Sequence, residues 1–233
     1  MNLKILRNLS ISAILTNATF LSVNAQTFVG VGAGVGIDSG IVYKGTQNKQ
    51  PSLQPQNVES SSFDYELLVG YQNSSQPVSF RIYGLGGLSY LSTDPKLINA
   101  TDISANIDVV YSIPMSADKK FSIYGGAGVG LLLLSGKAIK ETNSFDDKIK
   151  ALSQNSNSNH DYKIKSQNFY TSFAINLGTQ FYFNQRNAVE LAARIPLSRD
   201  KSILAYDDKL TKEKFDITLK VPYTMSLRYI FTF

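Results

Sequence analysis

The chain has no cysteine. That absence excludes disulfides, thiolate metal sites, cysteine nucleophiles and a lipidated N-terminal cysteine. It has one histidine, His160, and no cluster of metal-ligating residues is visible in the sequence. Beyond residue 25 no eighteen apolar residues run together. The richest run, Val129 to Leu134, is far too short for a membrane helix. A strong charge of one sign is also missing: Lys+Arg 23 against Asp+Glu 18 leaves +5, or +3 without Lys4 and Arg7. So small an excess is a poor argument for a nucleic-acid partner. A hydrophobic content of 43% and a mean hydropathy of −0.10 resemble a soluble protein, yet a transmembrane barrel reads the same because only half of each strand faces lipid.

What the chain does have begins at its N-terminus. Met1 to Ala25 carries Lys4 and Arg7, a moderately apolar stretch from Leu9 to Val23, and the ending Val23-Asn24-Ala25, small at the two positions a signal peptidase reads. This is the pattern of a cleaved secretory signal, with Gln26 as the mature start and one domain over 26–233.

The last residues alternate with period two. Phe215, Ile217, Leu219, Val221, Tyr223, Met225, Leu227, Tyr229, Phe231 and Phe233 are apolar, and of the intervening positions only Ile230 is. That predicts one β-strand long enough to cross a bilayer at a tilt. Seven similar runs precede it, at 27–37, 63–71, 78–91, 102–113, 121–134, 168–183 and 188–197. Short polar connections at 72–77, 114–120 and 184–187 contrast with long loops expected at 38–62, 136–167 and 198–214. An even strand count with short turns at one end and long loops at the other is the asymmetry of an outer-membrane barrel.

Alternation alone does not say which face is inside, since a lipocalin-like barrel would turn the apolar face inward. Here the opposite face is rich in glycine, at Gly30 to Gly36 and Gly126 to Gly130, and carries isolated charges. The apolar face is aromatic near strand ends, as interfacial girdles require. The expected lumen residues include Glu66, Arg81, Glu190, Arg194 and Arg228, with Asp64, Asp102, Asp108 and Lys220. Opposite charges there should pair, because unpaired burial is costly. In so narrow a lumen they read as a neutralised plug, or else as a gate.

The glycine-alternating segment Phe28 to Gly36, the Tyr124 to Gly130 strand and the ending Leu227-Arg-Tyr-Ile-Phe-Thr-Phe233 resemble the small outer-membrane barrels of the OmpA/OmpX and opacity-protein type. That group includes surface antigens of intracellular bacteria. The resemblance implies an all-β fold, an eight-stranded antiparallel up-and-down transmembrane β-barrel in the outer membrane of a Gram-negative bacterium. It also implies that Tyr229, Phe231 and Phe233 form the signal read by the outer-membrane assembly machinery. Two-domain members append a peptidoglycan-binding domain; this barrel ends the chain, so that role is not carried over.

Sites for chemistry are few. The glycines do not satisfy a dinucleotide or phosphate-loop pattern. His160-Asp161 lies in a polar loop and reads as a solvated histidine, with a lipid-modifying enzyme as the competing idea. In the long third loop Phe145, Ile149 and Leu152 recur at helical spacing behind a cap-like Ser144, either as a contact ridge or folded on the rim. Loop lysines such as Lys137 and Lys140 are a solvated charge run, or a surface for anionic lipopolysaccharide or host glycans. The expectation is a non-enzymatic surface protein without cofactor, its loops serving adhesion and its barrel the envelope; a small channel is the other alternative.

Overall fold

The computed structural model describes residues 25–47, 50–73, 77–93, 96–137, 139–140, 144, 162–208 and 214–233. All of the proposed signal but Ala25, together with Phe145, Ile149, Leu152 and His160, lies outside the described residues. Among the described residues eleven strands form one antiparallel sheet: β1 Ala25–Gln47, β2 Gln50–Asn73, β3 Val78–Thr93, β4 Lys96–Pro114, β5 Lys120–Gly136, β6 Tyr162–Ser166, β7 Phe169–Tyr182, β8 Asn187–Pro196, β9 Asp200–Asp208, β10 Lys214–Lys220 and β11 Tyr223–Thr232. β1, β2, β3, β4, β5, β7, β8 and β11 pair in succession, and β11 returns to β1, closing an eight-stranded barrel.

The remaining three strands continue members of the closed barrel. The register of β7 with β8, in which Ala174 faces Pro196, carries on into β6 with β9, where Ser166 faces Leu204. β1 faces β11 up to Ile37 with Tyr223, then faces β10 from Gly40 with Lys220. The segments read as loops at 38–62 and 198–214 are therefore largely strand. Their backbones stay in the ladder although the simple alternation of apolar side chains fails there. β2, with 24 residues, far exceeds the ~9–11 residues that cross a bilayer, so the wall rises above the membrane as an extension.

In the closed part each strand turns one face outward. In β2, Phe63, Leu67 and Tyr71 are 66%, 61% and 58% exposed while Asp64, Leu68 and Gln72 are buried. A pleat whose outer side is apolar and inner side polar suits lipid outside and a filled lumen inside. The tight turn between β7 and β8 is held by Asn184 Oδ1, which accepts from the backbone N–H groups of Arg186 at 2.9 Å and Asn187 at 2.8 Å, an Asx-type turn. Gln185 donates to Asp118 of the neighbouring β4–β5 turn at 3.1 Å.

One feature of the last strand departs from its sequence pattern. The apolar positions of β11, including Met225, Leu227 and Tyr229, face outward, yet Leu219 in β10 is 1% exposed inside the extension, with Ile217 and Val221 packed beside it. The facing reverses across Val221 and Pro222, which lie between the two strands, where proline cannot donate to the ladder. Lys220 consequently leaves the inner face, contrary to the expectation above. β1 reverses at the same level: Asp38 adopts φ 56°, and the register against β2 shifts between Gly36 and Ser39. This is a β-bulge, an extra residue that moves all later side chains to the other face.

Candidate functional site

The lumen is packed in layers. Phe28, Leu68, Tyr83, Leu85, Tyr182, Ala188 and Ile230 form an apolar cluster. Beside it runs an ion-pair chain. Arg81 binds Asp108 through Nη2 at 2.7 Å and Nε at 3.1 Å, and its Nη1 donates to Glu190 Oε2 at 2.5 Å. Glu190 Oε1 accepts from Tyr124 and from Arg228 Nη1, both at 2.8 Å. Arg228 Nε then reaches Glu66 Oε2 at 2.5 Å, where Ser226 also donates at 2.9 Å. The Arg81 guanidinium lies 4.3 Å from the Tyr124 ring centre and 4.8 Å from that of Tyr83, within cation–π range.

A second polar group continues upward. Arg194 pairs with Asp102 at 2.9 Å and donates to Asn106 at 2.9 Å, Ser104 at 3.1 Å and Asn176 at 3.2 Å. Asn176 joins the two groups through a 3.4 Å bond to Asp108. Arg81, Asp108 and Glu190 are each 0% exposed. Buried charge is tolerated here because nearly every donor and acceptor has a partner.

Small residues make the room. At Gly178 a Cβ would lie 2.5 Å from the Leu191 carbonyl oxygen and the Tyr124 ring; at Gly32 it would lie 2.7 Å from Arg228 Cγ. The alternating glycines are thus the space into which the long lumen side chains extend.

Of the expected lumen charges, Glu66, Arg81, Glu190, Arg194 and Arg228 all belong to this network. Alternation puts the buried amides Asn106 and Asn176 on the polar face of their strands, but nothing in the sequence singles them out as partners of Arg194. It also missed Arg199 in the region it took for a loop. Arg199 sits where the strands reverse: it binds the Asp38 carboxylate at 2.6 Å, the Asp38 carbonyl, and the Val221 carbonyl at 2.9 Å, with its guanidinium 3.9 Å from the Tyr223 ring centre. Lys220 completes the clamp with a 2.8 Å bond to Asp38. The hydrogen bonds from Lys220 and Arg199 hold the Asp38 carboxyl below its ordinary value of 3.8.

On the outer wall Tyr229 and Phe233 are exposed, Phe231 packs edge-on to Phe233 with ring centres 5.1 Å apart, and the Phe233 N–H donates to Thr27 at 2.9 Å. The Tyr229 hydroxyl meets Asn187.

A closed, even-stranded antiparallel barrel with an apolar outer belt, aromatic strand ends and a polar, filled lumen is an outer-membrane barrel of a Gram-negative bacterium. Residues 66–233 match the Helicobacter outer membrane protein family, and the chain belongs to it. No curated relative matches the chain. Among solved structures it is similar to the outer membrane protein OprG from Pseudomonas aeruginosa, at 14% identity and a TM-score of 0.45, over 90% of this chain and 96% of that one. It is similar to Neisserial surface protein A at 8% identity and a TM-score of 0.36, over 88% and 97%. Ail, the attachment invasion locus protein of Yersinia pestis, aligns at 11% identity and a TM-score of 0.31, over 88% and 99%.

Proposed function

We propose that this barrel is a non-enzymatic anchor that carries an interaction surface above the outer membrane. The observation that supports it is the contrast between a lumen shut by fully buried ion pairs and a wall that rises well past the bilayer. The ion pairs occupy the middle of the barrel, whereas the extension presents new surface to the outside. In this reading the extension meets lipopolysaccharide or the host-cell surface. Tyr229, Phe231 and Phe233 serve recognition by the assembly machinery, and residues 1–25 are removed on export, which N-terminal sequencing of the mature protein checks. Shortening the β1–β2 and β9–β10 hairpins to the level of Gly36 and Tyr223 should abolish adhesion to host cells while leaving the barrel folded and in the outer membrane. Adhesion equal to that of the intact protein contradicts the proposal, as does a steady ion conductance of the intact protein in planar bilayers.

A further inference from the structure

Above the Arg194–Asp102 pair and below the apolar filling of the extension, the lumen holds a cavity of about 70 Å³. A polar site needs only ~10–15 Å³ to hold one water, so a small organic molecule is within reach. Two of its walls carry charges that the ion network leaves out. Lys201 on β9 is 6% exposed; its ammonium donates to the Thr171 carbonyl and the Ser198 hydroxyl, each at 3.3 Å, and lies 5.7 Å from the Tyr170 ring centre. Asp64 on β2 is 3% exposed and is held by the hydroxyls of Ser62, at 3.2 Å, and Ser89. Neither forms an ion pair among the described residues. The rest of the lining is mostly aliphatic, with Leu85, Leu91, Leu132 and Leu219, alongside the paired Glu66, Asp102 and Arg194 of the ion network.

Buried charges without counter-charges are costly, and proteins ordinarily pair them. A ligand of one sign would answer one of these groups and leave the other. A ligand carrying both signs on a short hydrocarbon spacer answers both, keeps the net charge of the lumen unchanged and sets its methylenes against the leucines. We propose that the cavity binds a short zwitterion, an ω-amino acid, with its carboxylate at Lys201 and its ammonium at Asp64.

Isothermal titration of the folded barrel in detergent micelles tests this with four probes: β-alanine, 4-aminobutanoate, propanoate and propylamine. The two zwitterions should bind at least about tenfold more tightly than either singly charged analogue, and Lys201→Met and Asp64→Asn should each weaken them about tenfold or more. Zwitterions that bind no better than propanoate and propylamine overturn the proposal, as do folded variants that bind like the wild type. The four-probe comparison needs only the wild-type protein, so it decides even where a variant fails to fold.

Discussion

The inside of this barrel is built by two opposite rules. At membrane level the interior is built around a polar network set beside the smaller Phe28 to Ile230 cluster, with Arg81, Asp108, Glu190 and Arg228 locked together and fully or almost fully buried. In the extension it is apolar: Ile41, Leu91, Ile98, Leu132, Leu134, Ile203 and Leu219 form one cluster. The difference follows from the solvent outside. Lipid claims the apolar face of a membrane strand. Above the membrane water surrounds the wall, and the hydrophobic effect draws that face inward as in any soluble β-protein. The reversals at Asp38 and at Val221-Pro222 let β1 and the last strand obey both rules, whereas β3, β4 and β5 keep one inner face and change its residues from polar to apolar along their length.

The two halves should therefore break differently. The largest effect is expected for Glu190→Ala, which leaves two buried guanidiniums without their shared carboxylate; removing one partner of a buried pair costs about 3–5 kcal/mol. Urea unfolding in lipid vesicles, followed by the change in gel migration on boiling, measures it. Leu219→Ala should cost about 2–5 kcal/mol, but confined to the extension. Hydrogen exchange should quicken in β10, β9 and upper β1 while the closed barrel keeps its protection. Gly178→Ala drives a methyl group toward the Leu191 carbonyl and Tyr124, and overpacking of this kind costs about 1–3 kcal/mol. Its unfolding midpoint should fall between those of Glu190→Ala and the wild type.

The smallest effect concerns the clamp between the halves. Asp38 titrates below 3.8 because Lys220 and Arg199 bond its carboxylate. A depressed folded value means that its stabilising contribution is complete above 3.8 and disappears as pH falls through the lower, folded value. Exchange protection of the backbone at Gly40 and Lys220, corrected for intrinsic rates, should be level from neutral pH to about 4 and decline below it. In Asp38→Asn that decline should be absent.

Much of this was legible in the sequence, for a physical reason. Where one face meets lipid and the other a filled lumen, period-two patterning is forced on every strand, and the eight runs and their lumen charges stand out. Partners were not legible. Arg81 reaches Glu190 across 109 residues, and which inward groups meet is set by the tilt and shear of the closed sheet. The extension was misread as loops because bulges shift the alternation and its outer face carries residues any loop could have. The reversal in the last strand was hidden more deeply, since its odd positions stay apolar from Phe215 to Phe233 while their surroundings change from protein interior to lipid.

Because the chain has no cysteine, that reversal is open to single-cysteine spin labelling of residues 215–231 in lipid vesicles. Accessibility to oxygen, which concentrates in lipid, should be high at 225, 227 and 229 and low at 217 and 219, with the phase of the alternation shifting across Val221-Pro222. One unbroken alternation, with oxygen reaching 217 and 219 as readily as 225 and 227, would contradict a barrel whose interior changes from polar to apolar at the membrane rim.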